Sequence, residues 1–111
     1  MENDEAVKLL KEALVLDGYH DGPVRAVRFN NDGNYCLTCG SDKTLRLWNP
    51  HKQTHLNSYV GHGYEVLDAV SSAESDKLAS CGGDKTVILW DVATGKLIRR
   101  FRGHLSVNIL F

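Results

Sequence analysis

His62, Ser80 and Asp84 are the residue types of a nucleophilic triad, in which a histidine takes the proton of a serine hydroxyl and an aspartate steadies the imidazolium. Three features oppose that chemistry here. The set recurs 42 residues earlier as His20, Thr38 and Asp42, with threonine in place of serine. The hydroxyl falls inside a strand pattern rather than on an exposed elbow, and no segment reads as an oxyanion-hole loop. The set is therefore expected to be structural, and no catalytic residue is assigned.

The remaining reactive types give the same answer. Cys36-Leu37-Thr38-Cys39 is a C-x-x-C. Side chains three apart on a strand point to opposite faces, so the two sulfurs should diverge and serve as small buried apolar groups. His20, His62 and His104 follow one spacing without any local H-x-x-H, so no metal site is assigned. Gly40-Ser41-Asp42-Lys43-Thr44 and Gly82-Gly83-Asp84-Lys85-Thr86 carry glycine and lysine in an order loosely like a phosphate loop. A phosphate loop needs about four residues between its glycine and its Gly-Lys pair, and a helix after it. Here a tryptophan-bearing strand follows, so the segments read as β-turns and no cofactor is expected.

These residues sit in a repeat. Shifting the sequence by 42 lays residues 19–60 over residues 61–102 without a gap, and nine positions coincide. They are His20/His62, Val24/Val66, Cys39/Cys81, Gly40/Gly82, Asp42/Asp84, Lys43/Lys85, Thr44/Thr86, Leu47/Leu89 and Trp48/Trp90. Each unit reads as four strands: 24–29, 34–39, 44–49 and 54–60, then 65–70, 77–81, 86–91 and 96–101, separated by turn-forming residues. Val87-Ile88-Leu89-Trp90 is apolar on both strand faces, so that strand should have a neighbour on each side. The fold class is all-β, in two four-stranded antiparallel units.

Composition agrees. The chain has 111 residues, 42% apolar and 24% charged, with 10 glycines but only 2 prolines. Those values fit a globular domain. No apolar run approaches the roughly 18 residues of a membrane span, and the acidic, polar start is unlike a signal peptide. Thirteen basic against 14 acidic residues leave a formal net charge of −1, which gives no global field toward nucleic acid or anionic lipid. Three cysteines without a secretory signal suit a reducing compartment, so cytosol or nucleus is expected.

The period, the Gly-His start, the D-K-T turn and the Trp-Asn or Trp-Asp ending together resemble the WD-repeat β-propeller family, whose blades are four-stranded sheets stacked radially. The resemblance implies a buried hydrogen-bonded set in each blade: His20, Thr38, Asp42 and Trp48, then His62, Ser80, Asp84 and Trp90. It also frames the chain as an N-terminal extension (1–18), two repeats (19–60 and 61–102) and the start of a third (103–111). The segments VRAVRFNNDGNYCLTCGSDKTLRLWNP, GHGYEVLDA and GGDKTVILWDVATGKLIRRFRGH are similar to the opening blades of a family member that organises the ERK MAP kinase cascade and is also found with the spliceosome. What this implies is a non-enzymatic scaffold in cytoplasm and nucleus, with MAP kinase cascade components and spliceosome components as partners.

Three further expectations concern the edges of the pattern. Lys96, Arg99, Arg100 and Arg102 form the most basic window, either discouraging edge pairing on an outer strand or meeting an acidic partner or RNA. Direct RNA contact is disfavoured by the near-neutral charge and by the lack of interleaved aromatics. Arg99-Arg100 followed by Leu105-x-Val107 also loosely fits the docking segments that bind MAP kinases. Before the repeats, Asn3 would cap a helix over residues 4–11, with a strand over 13–17. Two blades cannot close a ring of about four to eight, so the chain reads as a fragment, a truncated isoform or an incorrect gene model of a longer scaffold, with open apolar faces prone to self-association.

Overall fold

A computed structural model describes residues 20–30 and 32–102. The helix expected over residues 4–11 and the strand expected over 13–17, with His104, Leu105 and Val107, fall outside the described residues. Eight strands follow in chain order: β1 (Val24–Phe29), β2 (Cys36–Gly40), β3 (Thr44–Asn49), β4 (Thr54–Val60), β5 (Val66–Ser71), β6 (Lys77–Gly82), β7 (Thr86–Asp91) and β8 (Leu97–Arg102). They form two antiparallel meanders, β1-β2-β3-β4 and β5-β6-β7-β8. Each sheet falls within one 42-residue unit. Seven strands start and end where the sequence pattern places them or within one residue of it; β2 starts two residues later, after the turn that Asn30 organises.

The turns explain the boundaries. Between β1 and β2 the Asn30 carboxamide oxygen accepts from the Tyr35 amide at 2.9 Å, the Asp32 carboxylate accepts from the Asn34 amide at 2.9 Å, and Gly33 supplies φ of 75°. Lys43 and Lys85 occupy the same place in the β2–β3 and β6–β7 turns, with φ of 71° and 64°. Non-glycine residues rarely adopt that conformation, so its presence in both repeats marks turns held by their surroundings. Register irregularities repeat as well: a bulge at Arg25 in β1 has its counterpart at Leu67 in β5, and breaks after Leu47 and Leu89 correspond.

The sheets stack face to face. Ala26, Leu37, Cys39, Leu45, Leu47 and Tyr59 of the first pack against Val66, Ala69, Leu78, Ile88 and Trp90 of the second. Burying the valine, leucines and isoleucine among them stabilises by about 1.5–3 kcal/mol each, so this seam is the main cohesive element. Polar contacts trim it. The Tyr59 hydroxyl donates to the Val92 carbonyl at 3.0 Å, and from β1 Arg25 reaches Glu65, just before β5, and Arg28 reaches Asp68 in β5, each at 2.9 Å.

On the far face of the first sheet, Val24, Val27, Cys36 and Trp48 form a second cluster. Those positions correspond to Val66, Ala69, Leu78 and Trp90, so both sheets present one receiving face and one donating face in the same sense. Within β7, Thr86, Ile88 and Trp90 are buried toward the first sheet. Val87 and Leu89, on the opposite face, are only half-buried, so among the described residues this strand has a neighbouring sheet on one side alone. Arg46 stands where Ile88 stands one repeat later, and it donates to the Ser58 hydroxyl at 2.9 Å.

Candidate functional site: two buried hydrogen-bonded sets

Each repeat folds its polar residues onto the corner between its second and third strands. In the first, the Trp48 indole N–H donates to Thr38 Oγ1 at 2.8 Å, and that hydroxyl lies 2.7 Å from His20 Nε2. His20 Nδ1 lies 3.0 Å from Asp42 Oδ1. Thr38 is fully buried and His20 is 1% exposed, and burial holds the imidazole below its ordinary pKa despite the neighbouring carboxylate. A neutral ring fits one tautomer: Thr38 donates to Nε2, and Nδ1–H donates to Asp42. Donation then runs one way from Trp48 through Thr38 and His20 to Asp42, with every buried group satisfied.

Asp42 converts this chain into turn geometry. Its carboxylate accepts from the Thr44 hydroxyl at 2.7 Å, the Thr44 amide at 3.3 Å and, through its other oxygen, the Asp21 amide at 3.0 Å. Burial pushes its pKa up, but the hydrogen bonds from His20 and Thr44 outweigh that and hold the carboxyl below its usual value. The arrangement ties the segment before β1 to the β2–β3 turn.

The second set differs at one link. Trp90 Nε1 donates to Ser80 Oγ at 2.8 Å, and Ser80 Oγ lies 2.7 Å from His62 Nε2. The expected direct bond between His62 and Asp84 is absent. What remains is the threonine contact that both repeats share: Thr44 Oγ1 lies 3.1 Å from His20 Nδ1, and Thr86 Oγ1 lies 3.5 Å from His62 Nδ1 while donating to Asp84 Oδ1 at 2.6 Å. Asp84 has turned its carboxylate toward the Thr86 hydroxyl and amide, and the hydroxyl's hydrogen bond holds its pKa down. Burial again lowers the pKa of His62.

Thr44 and Thr86 join the sets although the sequence marks them only by their coincidence in the repeat alignment, because a threonine opening a strand reads equally as a β-former. The ion pairs Arg25–Glu65 and Arg28–Asp68 had no signal, because their partners lie 40 residues apart without local pattern.

As a triad the second set is badly disposed. Ser80 is fully buried and its oxygen is engaged by both the indole and the imidazole, so no carbonyl could approach it. Cys36 and Cys39 lie in separate clusters on opposite faces of β2. The glycine turns pack closely: a Cβ on Gly82 would lie 2.7 Å from His62 Nδ1, and one on Gly40 would strike His20 and Asp42. Gly61 serves Trp90 in the same way, since a Cβ there would lie 2.9 Å from the indole. These glycines give room to the hydrogen-bonded sets rather than to a phosphate.

The three arginines of the basic window lie on β8, the outermost strand of the second sheet, and Lys96 just before it. Lys96, Arg99 and Arg102 are exposed, while the Arg100 guanidinium donates to the Gly61 carbonyl at 2.9 Å. Register pairs Arg99 with Leu89 and Arg100 with Ile88, so the two adjacent arginines lie on opposite faces.

Comparison with known proteins follows the same outline. The WD domain, G-beta repeat model matches residues 11–49 and 53–91, closing each repeat on the third strand of its sheet at Asn49 and Asp91. The human WD repeat domain-containing protein 83 is 70% identical over 59 residues, covering 53% of this chain and 19% of that protein. Its counterpart in Xenopus tropicalis is 67% identical over the same length. The Dictyostelium discoideum WD repeat domain-containing protein 83 homolog is 42% identical over 83 residues, covering 75% of this chain and 25% of that protein. The matched segments thus span a fifth to a quarter of these relatives. With two four-stranded sheets in one 42-residue rhythm and a family model covering most of the sequence, the chain belongs to the WD40 repeat family.

Proposed function

We propose that the chain acts as a non-enzymatic protein-interaction scaffold, assembling components of the ERK MAP kinase cascade and associating with the spliceosome, in cytoplasm and nucleus. WD40 repeats generally mediate protein–protein contacts, and the similarity to WD repeat domain-containing protein 83 gives the reading its direction. One observation carries the non-enzymatic part: in both repeats the histidine and the hydroxyl that could do chemistry are buried and mutually hydrogen-bonded. Function is then left to the outer surfaces.

Co-purification of the tagged full chain tests this reading. Recovery of ERK cascade kinases and spliceosome proteins, with no esterase turnover, is the expected outcome. Turnover abolished by Ser80→Ala, or recovery of neither group by folded chain, overturns it. Direct RNA contact through residues 96–102 is the competing reading; salt-dependent RNA binding lost on substituting Arg99 and Arg100 would favour it.

A further inference from the structure

The six arginines of the chain divide sharply among the described residues. Arg25, Arg28 and Arg46, all in the first sheet, each have a carboxylate oxygen within 4.0 Å, from Glu65, Asp68 and Asp42. The three on β8 have none: Arg100 is spent on the Gly61 carbonyl, and Arg99 and Arg102 are exposed without an ion pair, as is Lys96 just before the strand. Among the described residues β8 pairs only with β7, and none of them takes up the backbone donors and acceptors of its outer edge. Leu97, Ile98 and Phe101 are 40%, 47% and 43% exposed between the cations. The corresponding outer strand of the first sheet, β4, offers no lysine or arginine.

The geometry points to β8 as a docking edge for an acidic, extended peptide segment of a partner protein that adds as a fifth strand to the second sheet. Charge complementarity selects the occupant. The added strand's backbone would take up the open hydrogen bonds of β8, and its carboxylates would meet Lys96, Arg99 and Arg102 while apolar residues cover Ile98 and Phe101. Register decides between a peptide and a nucleic acid. Arg99 and Phe101 pair with Leu89 and Val87 on one face of the sheet, whereas Arg102 pairs with Thr86 on the other. A phosphate backbone lying on either face would meet only part of the charge and at most a single aromatic, but a strand at the edge alternates its own side chains and reaches both faces.

The inference rests on the reading of the chain as a protein-interaction module and names one of its surfaces. Its test is fluorescence anisotropy on the full chain with a labelled peptide alternating glutamate and valine, beside a lysine–valine peptide and oligouridylate, with hydrogen exchange of the β8 amides. The expected result is binding of the glutamate peptide alone, weakened by salt, with slowed exchange at residues 97–102 and none at β4. Arg99→Glu with Arg102→Glu should weaken it by about tenfold or more, and Lys96→Glu, outside the strand, should move it in the same direction with the fold untouched. No binding, binding without β8 protection, binding indifferent to both variants, or tighter binding of oligouridylate each overturns the inference. Kinase co-purification that persists in the charge-reversed chain would leave the scaffold reading standing while this edge assignment fails.

Discussion

Trp90, Ser80 and His62 show how much can hang on one hydroxyl. Ser80→Ala strands both the indole N–H and His62 Nε2 in a buried setting, each at a cost of about 1–3 kcal/mol. We expect a clear drop in the urea midpoint. Ser80→Thr should lose far less, because Thr38 fills the same role in the first repeat; equal losses would refute the hydrogen-bond account. Acid should act through the same residues. Burial holds His20 and His62 below their ordinary pKa of 6.5, so the unfolded chain binds more protons than the folded chain once pH falls under that value. Stability is therefore complete above about pH 6.5 and declines below it toward the lowered folded values. Asp42 and Asp84, held below 3.8, add a second loss as pH falls through their depressed values. Denaturant midpoints measured from about pH 7.5 to about pH 4.5 should fall; a flat profile would mean the imidazoles take up protons as readily in the folded chain as in the unfolded one.

At the scale of elements, Gly82 and Gly83 provide a matched pair within one turn. A methyl group on Gly82 would press on His62 and Asp84, while one on Gly83 would meet the Glu65 side chain at an ordinary 3.5 Å. Gly82→Ala should therefore destabilise by more than 1 kcal/mol, by about the scale of an overpacked core, and Gly83→Ala should be near neutral in the same thermal melts. The strands themselves were readable in advance because strand and turn chemistry recur at a fixed spacing: a segment such as TLRLWN is punctuated by D-K before it and N-P at its end. The corner sets were legible for the same reason. What escaped was relational. Nothing in Asp84 announces that it keeps Thr86 without His62, since Asp42 in the same sequence setting holds both Thr44 and His20. Arg28 and Asp68 meet only because one sheet stacks on the other.

For the molecule as a whole, the outward side of the second sheet carries the pattern that the first sheet buries: Val87, Leu89 and Phe101 stand where Leu45, Leu47 and Tyr59 stand. Large apolar patches of this kind favour association. Light scattering on the full chain should show concentration-dependent self-association, reduced by Leu89→Asp; a monomer at all concentrations would count against the sheet face as a contact surface. Stacked modules look interchangeable, but Arg46 and Ile88 make them ordinal. Ile88 is fully buried in the seam, whereas Arg46 in the same slot keeps its guanidinium on Ser58 and near Asp42. A gene rearranged to place the second module ahead of the first would drive that guanidinium into an oily joint where only its own module's Ser58 and Asp42 could offset the lost water, so the two copies have acquired fixed addresses despite their common ancestry of form.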